Sequence, residues 1–147
     1  DIKTIETLLD HGADPNIVDK YKCSPLMYAS REGNADAVAL FIKRGVKIDY
    51  EDQFNWTALT WATKKNHLAV AKILIGNGAN IDRKDSDGTP ILHYAVANKS
   101  KEMTQLFIDS KVNLKAKDRY GLTALVYALK AKNTEIVDLI KNAGGSY

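Results

Sequence analysis

A short motif that returns at one fixed interval restricts this chain more than any other feature. Leu26-Met27-Tyr28-Ala29, Leu59-Thr60-Trp61-Ala62, Leu92-His93-Tyr94-Ala95 and Leu125-Val126-Tyr127-Ala128 share a Leu–x–aromatic–Ala core, and their leucines are 33 residues apart each time. A strict period in this range means supersecondary modules that cannot bury an apolar face alone and therefore stack on their neighbours. The length of 147 residues suits one domain or a short array of such modules, and an apolar fraction of 45% is enough to build a core.

The bulk numbers exclude several classes. A net charge of +3 is mild and argues against a nucleic-acid or membrane-surface protein. The single cysteine, Cys23, cannot form an internal disulfide, so folding needs no oxidising compartment. No apolar run is long enough to span a bilayer, and the N-terminus lacks a basic-then-apolar signal pattern. These features predict a soluble, intracellular protein with no membrane insertion, and they do not separate cytoplasm from nucleus.

Read in order, residues 1–12 predict a helix, because Ile2, Ile5, Leu8 and Leu9 line one face before Gly12 stops it. No partner helix precedes it, so 1–18 reads as the second half of a repeat and the N-terminal edge as cut. Full repeats follow over 19–51, 52–84 and 85–117, and 118–147 forms a terminal one. Each has two helices. The first opens at a hydroxyl, as at Ser24-Pro25 and Thr57. The second carries a stripe such as Val38, Leu40, Phe41 and Ile42, or Val70, Ile73, Leu74 and Ile75. In the third repeat the Thr89-Pro90 pair comes one residue early, yet Leu92 and Ala95 keep their register. Where the earlier repeats have Ile42, Ile75 and Ile108, the last has Lys141, as the wetter outer face of a natural C-terminal cap requires.

The motifs resemble the ankyrin repeat, whose pattern runs Asp-x-x-Gly-x-Thr-Pro-Leu-His-x-Ala, a Gly turn, then Val-x-x-Leu-Leu-x-x-Gly-Ala. The nearest matches are Asp85 to Ala95, Gly121-Leu122-Thr123-Ala124-Leu125 and Gly78-Ala79-Asn80-Ile81-Asp82. The resemblance covers the whole chain and implies an all-α solenoid: a stack of antiparallel helix pairs with projecting β-hairpin loops. The departures matter. The family His survives only as His93, where it is expected to bond its own hairpin. Lys99 and Lys132 replace the inter-helix Gly, and Lys111 replaces the Gly after the third repeat's second helix. A left-handed lysine costs on the order of 1 kcal/mol, so looser turns are expected in the third repeat.

The resemblance further implies a non-catalytic module that binds another protein or peptide on a concave face of hairpin tips and first helices. Carried over residue by residue, the contact positions are Lys20, Tyr21 and Arg31; Gln53, Phe54, Trp56, Lys64 and Lys65; Asp87; and Arg119, Tyr120 and Lys130. Large aromatics are frequent interface anchors, which singles out Trp56 and Phe54. Against that stands their packing on the next hairpin as part of the core edge. The mapped surface carries Lys20, Arg31, Lys64, Lys65, Lys84, Lys117, Arg119 and Lys130 against Glu32, Glu51 and Asp87, so an acidic or apolar-anchored segment would suit it. Ordinary solvated lysines would give the same count. The column Tyr28, Trp61, Tyr94 and Tyr127 reads as structural stacking. Two alternatives stay open: a regulatory segment of a larger multidomain protein, and a binder of anionic ligand or nucleic acid through the basic groove.

Nothing in the chain assembles catalytic chemistry. His11, His67 and His93 fall in different repeats without metal-ligand spacing, and Cys23 has no Cys partner. Cys23 beside Lys20 and Lys22 suggests at most a partly activated thiol. Single glycines end helices and form no phosphate loop. No enzyme activity, cofactor, metal or small-molecule substrate is expected.

Overall fold

A computed structural model describes residues 1–147 and contains nine short helices with no strand. The chain divides into two compact blocks, Asp1–Ala79 and Asn80–Tyr147.

The N-terminal block holds α1 (Ile2–Asp10), α2 (Pro25–Arg31), α3 (Ala35–Lys43), α4 (Ala58–Lys64) and α5 (Leu68–Gly76). First helices pack on first helices, α2 on α4, and second helices on second helices, α1 on α3 and α3 on α5. α1 therefore packs as the second helices do, on the second helix of the next repeat. It buries no residue completely, and Leu8 stays largely exposed. Leu26, Met27, Val38, Leu59, Val70 and Leu74 form the core of this block.

The C-terminal block repeats the plan with α6 (Ile91–Ala97), α7 (Lys101–Asp109), α8 (Ala124–Lys130) and α9 (Thr134–Asn142). α6 packs on α8 and α7 on α9. Its core is Ile91, Leu92, Met103, Phe107, Leu125, Ile136 and Ile140. Full burial of each such side chain stabilises by about 1.5–3 kcal/mol, which lets helices of seven to nine residues persist though they would fray alone.

Side-chain caps start six of the nine helices. Ser24 and Thr57 close capping boxes, accepting from Met27 N at 3.3 Å and Thr60 N at 3.3 Å. The early Thr-Pro pair moves the third repeat's cap to Pro90, which offers no side-chain oxygen. Asn34, Ser100 and Asn133 cap three of the second helices. Thr123 does not cap α8; its hydroxyl donates to Ser146 O at 2.9 Å and holds the C-terminal segment. Lys141 is exposed where Ile42, Ile75 and Ile108 are half-buried.

The turns correct one expectation. Lys99, Lys132 and Lys111 adopt φ of 55°, 53° and 65°, the left-handed conformation that glycine would take. The bonds made by these lysine amides are of ordinary length: Lys99 N to Val96 O is 2.9 Å and Lys111 N to Ile108 O 3.0 Å, against 3.3 Å from Gly33 N to Ser30 O. The third repeat's turns are not loosened. The cost remains as backbone strain in the left-handed residues.

Candidate protein-interaction surface

Each tip connecting one repeat to the next is a five-residue loop closed by an aspartate. In the second repeat, Asp52 N donates to Trp56 O at 3.0 Å and Asn55 N to Asp52 O at 3.0 Å. The Asp52 carboxylate lies inside this loop, where Oδ1 accepts from Phe54 N at 2.8 Å and Trp56 N at 3.1 Å. Asp19, Asp85 and Asp118 bond their own loops in the same pattern, two and four residues on. The fourth loop position is left-handed throughout, as Lys22, Asn55, Gly88 and Gly121.

The other carboxylate oxygen reaches nine residues ahead, into the first helix. Asp52 Oδ2 accepts from Trp61 Nε1 at 3.0 Å, Asp19 Oδ2 from the Tyr28 hydroxyl at 2.6 Å, and Asp118 Oδ2 from the Tyr127 hydroxyl at 2.5 Å. Asp85 binds the Tyr94 hydroxyl in the same way. The aromatic column is thus structural through its polar ends as well as its rings, clamping every tip to its own helix. The electrostatics follow. Tyr28 and Tyr127 are pushed above the ordinary phenol range chiefly by the partner carboxylate, and Tyr94 chiefly by burial. Asp19 is held below the usual carboxylate range, first by the Tyr28 bond. Burial pushes Asp118 up, but bonds from Tyr127, Leu122 N and Tyr120 N outweigh it and leave it low.

The projecting β-hairpins expected from the resemblance reduce to less than strands. The C-terminal block has two isolated antiparallel bridges, Lys84 with Pro90 and Lys117 with Thr123, and no ladder extends from them. The carboxylate already takes the amides that a ladder would use.

The mapped contact residues fall into two groups. In the N-terminal block, Tyr21 and Phe54 are exposed at neighbouring tips joined by Gln53 N to Tyr21 O at 3.1 Å. Trp56 is half-buried. Its ring meets Trp61 edge-on at 4.7 Å between centroids and Phe54 at 5.7 Å, with Lys64 Nζ 4.4 Å from its centroid. Arg31 lies over Tyr28 and Trp61, 4.8 and 5.7 Å from their centroids, and pairs with Glu32 at 3.0 Å. Lys20 covers Tyr21 at 4.9 Å. Lys65 is exposed as the C-cap of α4.

In the C-terminal block, Arg119 grips the third tip through Nε to Asp87 O at 2.9 Å and through an ion pair with the Asp87 carboxylate. Tyr120 is 73% exposed, the most exposed ring of any tip. Lys130 Nζ is 5.7 Å from the Tyr127 centroid. Lys84 Nζ donates to Lys117 O at 2.8 Å, a second link between these tips. Several mapped cations thus rest on aromatic faces, where such contacts normally occur about once per 70–80 residues. This pairing was not legible in the one-dimensional count of charges.

Two more expectations are corrected. The His93 ring bonds the next tip, Nε2 to Leu122 O at 3.0 Å, and not its own hairpin; burial pushes this imidazole down. The Cys23 thiol is not activated: burial and the Asp52 carboxylate 3.9 Å away push it up, outweighing the Arg31 charge.

Paired short helices, stacked like on like and joined by carboxylate-closed tips, define a helical repeat protein. The chain belongs to the ankyrin-repeat family, whose profile, ankyrin repeats in three copies, matches residues 1–85 and 77–146. Members of this family are typically non-enzymatic modules of protein–protein interaction. The chain is 49% identical over 41 residues to the ankyrin repeat, SAM and basic leucine zipper domain-containing protein 1 of Ornithorhynchus anatinus, covering 28% of this chain and 9% of that protein. It is 49% identical over 43 residues to the ankyrin repeat protein FPV223 of fowlpox virus, covering 29% and 30%. It is 35% identical over 52 residues to the phosphate system positive regulatory protein PHO81 of Saccharomyces cerevisiae, covering 35% and 4%. The matched stretches are less than a third of each relative's length. No helix is long and apolar enough to cross a membrane.

Proposed function

We propose that this chain captures a partner protein or peptide through its tips and first-helix faces, without chemistry. The observation that carries this reading is the placement of large exposed rings, Tyr21, Phe54 and Tyr120, on loops whose aspartate ties down the ring residue's own amide and the amide two residues further on. A ring on a rigid support loses little entropy on binding, so more of its contact area appears as affinity. Rings and cations together suit a segment that offers apolar anchors and acidic side chains. Lys20, Lys64, Lys65 and Lys130 are exposed cations at these sites.

The test is affinity capture from the native source with the wild-type chain and a Phe54→Ala/Trp56→Ala variant. The wild type retains discrete proteins that the variant loses, while the far-ultraviolet circular dichroism of both stays helical. Equal capture by both, or unfolding of the variant, removes the tips from the binding role. A binding curve on generic duplex that falls steeply with salt would favour a nucleic-acid partner instead.

A further inference from the structure

We propose that the cleft between the third and fourth tips takes one aromatic side chain from a partner peptide whose flanking residues are acidic. This rests on the interaction-module reading above and names a subsite and a ligand chemistry for it. The cleft has a volume of about 470 Å³, within the range of built binding sites. Its walls include the rings of Tyr94 and Tyr127 with Val96 and Ala97, all from α6 and α8. His93 also lines it, 6% exposed, meeting Tyr127 edge-on at 5.3 Å, and its Nδ1 is buried without a hydrogen-bond partner. A wall of offset rings favours another ring over an aliphatic chain, because edges and faces of opposite polarity can pair.

Charge decides the flanks. The cleft contains two carboxylates besides its cations, and both are already engaged. Asp118 accepts from the Tyr127 hydroxyl and two backbone amides, and Asp87 is paired with Arg119. Arg119 cancels Asp87, whereas Asp118 keeps its negative charge; Lys99, exposed on the lining, and Lys130, over the Tyr127 ring, outnumber it and leave one net positive charge. A carboxylate on either side of an inserted ring would meet these ammonium groups, whereas a basic flank would be repelled.

The experiment titrates the blocked peptide Glu-Glu-Trp-Glu-Glu into the ¹⁵N-labelled chain and follows backbone amide shifts. Saturable shifts are expected at Ala97, Lys99 and Tyr127. Binding should be at least about tenfold weaker when Ala replaces the central Trp. It should be several-fold weaker when Gln replaces Glu, or when salt rises to about 0.3 M. Ala131→Trp, which fills the cleft from an exposed helix-end position, should abolish the shifts, and Ala97→Phe serves as a second filling variant. Lys99→Asn should weaken the acidic peptide but not the Gln form, since Asn keeps the left-handed turn. No saturable shift at these amides, equal binding by the Trp-less peptide, or tighter binding by a single-stranded oligonucleotide would overturn the proposal. Partner capture that still depends on Phe54 and Trp56 would then leave the broader reading standing, and loss of both results would end both.

Discussion

Replacing Asp52 by Ala strands three N–H donors at once, Phe54 N, Trp56 N and Trp61 Nε1, besides the weak Cys23 thiol. The carboxylate is only 3% exposed, so water cannot take its place without opening the tip. Leaving such donors unpaired should cost about 2–3 kcal/mol in urea unfolding. Phe54→Ala, at an exposed ring two residues on, should stay within about 0.5 kcal/mol of wild type. A cost for Phe54 equal to that for Asp52 would mean that the tip ring belongs to the core. The inter-helix turns give a second comparison. A Cβ on Gly33 would fall 2.6 Å from His67 Nδ1, because the His67 ring lies over that turn to bond Arg31 O at 3.0 Å. Gly33→Ala should therefore destabilise by about 2–3 kcal/mol, clash added to left-handed strain. Lys132→Gly, at the equivalent turn of the last repeat, relieves strain and should stabilise by up to about 1 kcal/mol. Thermal unfolding of the two variants should move in opposite directions.

At the scale of the helices, stability depends on the recurring leucine. Leu59 and Leu92 are 1% and 2% exposed in their respective blocks. Leu59→Ala or Leu92→Ala should each cost about 2–5 kcal/mol by calorimetry or denaturant titration, as cavities in packed cores do. A near-neutral result would contradict the register by which first helices stack. The helices themselves were legible from spacing and caps: Ser24-Pro25 and Thr57 begin α2 and α4 where their chemistry predicts. The tips were legible only in part. The Asp-x-x-Gly pattern marks the loop and its left-handed position. The bond from Asp19, Asp52, Asp85 or Asp118 to a ring nine residues later has no local period to betray it. The loop must first turn back onto its own helix. Spacing alone could not choose between an anchor role and core-edge packing for Trp56 for the same reason, since its contact with Trp61 exists only after that turn.

For the molecule as a whole, the repeated clamp sets the pH response. Asp19 and Asp118 titrate lower in the folded than in the unfolded chain. Their contribution is therefore complete above about pH 4, the unfolded range, and is lost as pH falls through the lowered folded values. Tyr28 and Tyr127 titrate higher when folded, so their contribution is present below about pH 10 and lost as pH rises through the raised values. Buried His93 titrates lower when folded, so stability also declines as pH falls below about 6.5 toward that value. Urea midpoints measured from about pH 3 to 11 should show both limbs. Tyr28→Phe should flatten the alkaline limb, and His93→Gln should remove the step below neutrality. An unchanged profile in either variant would sink that assignment. By itself the amino-acid order determined the period, the helix starts and the family, because apolar spacing, caps and left-handed turns act over a few residues. Only the tertiary structure decided which rings are anchors and which are clamps, where His93 spends its bond, and which cations lie on aromatic faces. Those outcomes depend on side chains from separate loops and helices meeting in space, and no spacing along the chain encodes that meeting.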